Sequence, residues 1–226
     1  MRMKLLIIGL ASLASIGLAG CGDNNSDEAQ VRVFHASPDA PNVDVLVDQG
    51  RVLEDVPYTA ASDFLPVPAG TRHIAVNITG TDTTVIDVRL DLEDDVDYLV
   101  VAAGKAASIA PIVATCDRTD PPEGSARVRV LHSAASAPAV DVYVTAPDQG
   151  IEDAQPVLSA VPFRAISDYL TIPGGAYDVR VTVAGTKTVA IEALNLAVPA
   201  GTVATVAALD EKGGGSPFSL QLLSER

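Results

Sequence analysis

The chain has no tryptophan, only four phenylalanines and five tyrosines in 226 residues. A ladder of exposed rings for stacking bases or sugars is poorly stocked with so few aromatics. Basic residues are scarce as well: 15 Lys and Arg stand against 29 Asp and Glu, a net charge of −14. Such a surface repels phosphates, so no nucleic acid partner is expected. Cysteine is nearly absent, with Cys21 and Cys116 alone, so no disulfide framework holds the fold together. No long segment carries the 3.6-residue period of an amphipathic helix.

What is present begins with MRMKLLIIGLASLASIGLAGC. Arg2 and Lys4 form a positive start, and the apolar run from Leu5 to Leu18 is short for a membrane span. This is a secretory signal and does not belong to the fold. Leu18-Ala19-Gly20-Cys21 resembles the bacterial lipobox. The resemblance implies diacylglyceryl transfer to the Cys21 thiol, cleavage after residue 20 and acylation of the new amino group. Removing residues 1–20 takes Arg2 and Lys4 away and lowers the net charge to −16. Residues 22–30, GDNNSDEAQ, are polar and acidic and read as a tether. Fully stretched they span about 30 Å at ~3.3 Å each. Acyl chains worth ~0.8 kcal/mol per CH₂ would hold the protein to a membrane. Gly22 after the cysteine resembles an outer-membrane sorting signal of Gram-negative cells. The expected location is therefore the cell envelope, lipid-anchored, at the outer membrane.

Residues 31–47 read VRVFHASPDAPNVDVLV, and residues 128–144 read VRVLHSAASAPAVDVYV. Val56-Pro57-Tyr58 returns as Val161-Pro162-Phe163, Ser62-Asp63-Phe64-Leu65 as Ser167-Asp168-Tyr169-Leu170, and Val67-Pro68-Ala69-Gly70 as Ile172-Pro173-Gly174-Gly175. The offset grows from 97 to 105, so copy two carries eight extra residues, within Thr145 to Gln155. A repeat of this length is a duplicated domain rather than a solenoid unit. Val31, Val33 and His35 alternate with Arg32 and Phe34; Val43, Val45 and Val47 alternate with Asp44 and Leu46. Ile74, Val76 and Ile78 continue this pattern in copy one, and Val179, Val181 and Val183 in copy two. Period-two valines between Pro and Gly turns predict strands. The expected fold is all-β: two tandem antiparallel β-sandwiches, immunoglobulin- or transthyretin-like. The expected boundaries are signal 1–20, tether 21–30, domain one 31–115, linker 116–126 and domain two 127–226. A last strand is expected over Pro217 to Leu223.

The phrase VRVFHASPDAPNVDVLVD, with VPY, SDF and VPAG after it, resembles the exported bacterial family called domain of unknown function 4397. The resemblance covers both copies and implies secreted or lipid-anchored β-sandwich domains in tandem. It assigns no activity.

Four groups of residues invite a chemical reading. Ser37, His35 and Asp44 have the side chains of a nucleophilic triad, but copy two has Ala134 at the serine position. Strand alternation also sends His35 inward with the valines and Asp44 outward. His35, Asp39 and Asp44 would serve a metal, yet copy two keeps only His132 and Asp141, with Ser136 replacing Asp39. That is short of the three or four ligands of a zinc site, and Ser37-Pro38-Asp39 suits a type I turn. Asp91, Glu93, Asp94, Asp95 and Asp97 offer oxygens for Ca²⁺, but Asn195 to Gly201 of copy two contains no acid, which favours a solvated turn. The enlarged loop Thr145 to Gln155 is the main asymmetry between the copies. Cys116 reads as a free thiol in the linker. The expected function is a non-catalytic binding, adhesion or structural module of the envelope, monomeric, without cofactor, meeting a membrane through Cys21 and an envelope or cell-surface partner. The alternatives are an envelope enzyme or accessory subunit using the loop near His35, or a Ca²⁺-binding surface domain.

Overall fold

Strand β1, Glu28–Ala36, is buried on both of its faces. Ala29, Val31 and Val33 enter one apolar core, and Phe34 and Ala36 enter another. A strand that is dry on both sides belongs to a sheet covered twice, and that sets the architecture. The computed structural model describes residues 27–226. The expected signal peptide, Cys21 and most of the expected tether lie outside the described residues.

Copy one contains β1, β2 (Val43–Val47), β3 (Gly50–Val56), β4 (Leu65–Pro68), β5 (Gly70–Ile78), β6 (Thr84–Leu92), β7 (Asp97–Ala103) and β8 (Ala110–Cys116). Copy two repeats them as β9 (Ser125–His132), β10 (Val140–Thr145), β11 (Leu158–Val161), β12 (Leu170–Pro173), β13 (Gly175–Val183), β14 (Val189–Val198), β15 (Val203–Leu209) and β16 (Ser219–Ser224). Each copy is a sandwich of two four-stranded sheets. The outer sheets run β3-β2-β5-β6 and β11-β10-β13-β14; the inner ones run β4-β1-β7-β8 and β12-β9-β15-β16.

Three expectations are corrected. The inner sheets are mixed, not antiparallel: β1 pairs parallel with β7, and β9 with β15. First and seventh strands are distant in sequence, so no hairpin forces them antiparallel. The tether ends earlier than expected, because Glu28, Ala29 and Gln30 already pair with Pro68, Val67 and Pro66. Cys116 is not in the linker but ends β8, opposite Asp97, and is buried.

The two sandwiches pack inner sheet to inner sheet. Phe34, Leu99, Val101, Ala103 and Cys116 of copy one share a core with Leu131, Ala207, Leu209 and Leu223 of copy two. The molecule is therefore four sheets deep, with the copies fused through a third core. Contacts across the seam are reciprocal. Val31 pairs with Tyr98 and Tyr98 with Thr115; in copy two, Val128 pairs with Ala204 and Ala204 with Ser224. Thr115 and Ser224 are thus equivalent. Arg32 donates to the Ser224 carbonyl, and its counterpart Arg129 donates to the Thr115 carbonyl at 2.8 Å. At the other end, Tyr58 of copy one donates to Asp210 O at 2.7 Å, and Arg164 of copy two donates to Ser108 O at 2.7 Å. Corresponding ends meet, so a pseudo-twofold axis runs along the strands, as in an isologous dimer. The pole beside Glu28 also holds the turn at Asp94 and the linker after Cys116. The opposite pole holds the loops that follow His35 and His132.

Candidate functional site

The doubled phrase places its two histidines at equivalent points. His35 and His132 are both fully buried, on the valine faces of β1 and β9. Neither nitrogen of His35 has a hydrogen-bond partner. Burial pushes its pKa down to about 4. The Nε2 of His132 lies 2.9 Å from the Pro138 carbonyl, so Nε2 carries the proton. Burial lowers the pKa of His132 too, against the opposing effects of that bond and of Asp210. Each ring stands edge-on to an aromatic: His35 to Tyr58 at 6.2 Å, His132 to Phe163 at 6.1 Å.

Asp44 and Asp141 point away from the valines as expected, yet they are 3% and 6% exposed rather than solvated. Their oxygens are taken by the backbone. Asp44 Oδ1 accepts the Asp55 N–H at 2.9 Å and the Thr79 hydroxyl at 2.8 Å. Asp141 accepts the N–H groups of Ala160 at 2.7 Å and Gly185 at 2.8 Å. Asp55 and Ala160 have φ of +54° and +51°, so each aspartate pins a bulged, left-handed turn of the adjacent edge strand. The backbone N–H of Asp55, then the Thr79 hydroxyl, holds the Asp44 carboxyl below its ordinary range. Ser37 Oγ is buried and bonds nothing, and Asp44 is committed elsewhere. Ser37, His35 and Asp44 therefore do not assemble as a triad.

Asp39 does not bond its own turn. It accepts the N–H of Ala106, opening the short 3₁₀ turn Ala106–Ser108. The acidic stretch is divided among separate partners: Asp91 takes the Thr71 hydroxyl, Asp94 the Glu28 N–H at 2.9 Å, and Asp97 both ends of Arg118. Among the described residues no group of three or more His, Cys, Asp or Glu could hold a metal ion. The enlarged loop is fastened over the outer sheet of copy two. Lys187 donates to the carbonyls of Ile151 and Ala154 at 2.6 and 2.8 Å and lies 4.3 Å over the Tyr143 ring.

Sequence reasoning missed the polar cluster at the seam. Arg129 is 4% exposed and Glu225 1%. The Arg129 guanidinium bonds Thr205 at 2.8 Å, Glu225 at 3.0 Å and the Cys116 sulfur at 3.3 Å, and it stacks 4.6 Å over Tyr169. Tyr169 and Thr205 also donate to Glu225. Burial, and next the Glu225 carboxylate, push the Cys116 thiol up to about 12, so it is protonated and unreactive. The available signal was the arginine kept between two valines in both copies. The gaps between the sheets of each sandwich are small, about 30 Å³ in copy one and 50 Å³ in copy two, room for a few waters.

The architecture makes this a tandem β-sandwich protein built by duplication of one domain. The chain belongs to the family described as Domain of unknown function (DUF4397), whose model matches residues 29–143 and 148–225. The break between those segments falls at the copy-two insertion. No curated protein matches the chain. Among solved structures it is similar to a CBM26-family module of Eubacterium rectale Amy13K in complex with maltoheptaose. That match has 10% identity and a TM-score of 0.28, covering 88% of this chain and 97% of the other. A streptococcal virulence factor that binds α-glucan follows at 12% identity and a TM-score of 0.25, covering 84% and 96%. Family 41 carbohydrate-binding modules from streptococcal virulence factors give 9% identity and a TM-score of 0.26, covering 85% and 96%. At these scores the likenesses bring neither a ligand nor an activity to this chain.

Proposed function

We propose that the protein is a non-catalytic module of the cell envelope, lipid-anchored through Cys21, that works by binding, adhesion or structural spacing as one rigid two-lobed body. The observation that carries this reading is the use made of the residues with chemical potential. Both imidazoles of the doubled phrase are sealed in sandwich cores, both its aspartates tie down backbone, and the Arg129–Glu225 ion pair, buried on both sides, lies at the seam. Orientation follows from the anchor. The tether enters at Glu28, beside the linker, so that pole faces the membrane and the paired loops after His35 and His132 face away from it. The lipobox resemblance and Gly22 favour the outer membrane.

Fractionation and lipid labelling of a Cys21→Ala variant test the anchor. The variant should lose the acyl label and leave the membrane fraction. A variant that stays labelled and membrane-bound overturns the reading.

A further inference from the structure

The main chain of each buried histidine pairs with the loop by which its copy grips the other, and its ring stands edge-on to an aromatic of that loop, Tyr58 or Phe163. In copy one the backbone N–H of His35 donates to Ala60 O at 3.0 Å, and its carbonyl accepts the Thr59 N–H at 2.8 Å. The same loop crosses the seam: Tyr58 donates to Asp210 O at 2.7 Å, and Thr59 O accepts from Gln221 at 2.9 Å. In copy two the backbone N–H of His132 donates to Ala165 O at 2.9 Å, and its carbonyl accepts the Arg164 N–H at 2.8 Å. Arg164 then crosses to Ser108 O at 2.7 Å. Thr59 and Arg164, equivalent residues, both sit at φ +70°. Residues with a side chain rarely hold that conformation unless their surroundings impose it.

Burial disfavours a positive charge on both rings: His35 has no hydrogen-bond partner at either ring nitrogen, and the Pro138 carbonyl and Asp210 only partly oppose it at His132. Tyr58, edge-on to His35, is neutral, its own pKa pushed up to about 12 chiefly by burial. The loop following His35 contributes only Asp39, whose carboxylate is turned to the Ala106 N–H. Packed against His35 from β7 is an alanine, Ala102. His132 faces Phe163, the Pro138 carbonyl and Asp210. The Asp210 carboxylate is already held by the N–H groups of Ser136 and Gly215, and Ala208 flanks the ring from β15. A protonated ring would bury a second N–H without an acceptor and a charge without a full partner, which costs several kcal/mol.

We propose that His35 and His132 are a matched pair of acid-released pins. While neutral they hold loops 57–61 and 162–166 across the seam; protonated, they free these loops, and the two copies part at the membrane-distal pole. The burial of both rings sets the direction. A released imidazole takes its proton near 6.5, while the sealed His35 takes it near 4. Between those values the open form binds more protons, so falling pH favours it.

Amide hydrogen exchange of the full chain between pH 7.5 and 4.5, corrected for intrinsic rates, tests the pins. Residues 57–61, 103–108, 162–166 and 210–216 should exchange about tenfold faster per pH unit below about 6, while the outer sheets stay protected. The His35→Leu/His132→Leu double variant should lose this acceleration. No acceleration in the wild type, or the same acceleration in the double variant, overturns the proposal. Should the double variant not fold, the imidazole proton shifts of the wild type decide: midpoints at or above 6.5 for both rings in the folded state overturn it, and midpoints well below support it.

Discussion

Arg129 offers the sharpest test of the seam. Its guanidinium satisfies Thr205, Thr115 O and Glu225, and rests on Tyr169, at 2.8, 2.8, 3.0 and 4.6 Å. Arg129→Met keeps much of the apolar stem and removes every donor. Glu225, 1% exposed, would then be a buried carboxylate held by two hydroxyls alone. Removing one partner of a buried ion pair costs about 3–5 kcal/mol, roughly 6–20 °C in Tm for a chain of this size at about 2–4 °C per kcal/mol. Arg32→Met removes the equivalent cross-seam bond to Ser224 O, but no buried carboxylate is left behind, so about 1 kcal/mol is expected. The Arg129→Met/Glu225→Gln double variant should recover more than half of the loss, because the uncompensated charge is gone. Urea unfolding of the four proteins measures all of this. If Arg129→Met loses less than about 1 kcal/mol, or no more than Arg32→Met, the buried network is not what holds the seam.

Three further outcomes follow from the same geometry. Between pH 6.5 and 4 the unfolded chain binds more protons than the folded one at His35, whose pKa falls from 6.5 to about 4. Stability should drop by about 3 kcal/mol over that window as pH falls; urea midpoints against pH check it, and His35→Leu should flatten the slope. A further loss should begin in the ordinary carboxylate range, where the unfolded chain takes up protons first, and continue below it until Asp44, Asp48 and Asp117 are protonated in the fold as well. Asp141→Ala frees the N–H groups of Ala160 and Gly185 and should cost about 1–3 kcal/mol in a thermal melt. Calorimetry should show one transition for both copies, with van't Hoff and calorimetric enthalpies equal, because the third core joins them; Phe34→Asp should split it in two.

The strands were legible because their signal is local. Valines at every second position face inward wherever a sheet has a wet side, and Val43, Val45, Val179 and Val181 did so. The histidines were legible on the same grounds: both lie on the valine face, as alternation requires. Cys116 was misread because a Thr-Cys-Asp sequence before two prolines looks like a linker, whereas its burial comes from Arg129 and Leu131 of the other copy. Alternation gives Asp44 its direction but not its surroundings. The strand period gives the face, but not the bulge that folds a backbone N–H onto that face.

The sequence by itself determined an all-β chain, its duplication, its family, and the two equivalent histidines, since all of these depend on periodicity and on comparing one half with the other. Only the tertiary structure decided that the inner sheets are mixed, that the copies are fused through a third core, and that Arg32 and Arg129 reach across it. Apolar runs such as Tyr98–Ala103 and Val203–Leu209 state that both faces of a strand are dry. They do not say what covers the second face. The partner is another stretch of the same chain about a hundred residues away, and its place is set by the packing of two sheets rather than by any local pattern.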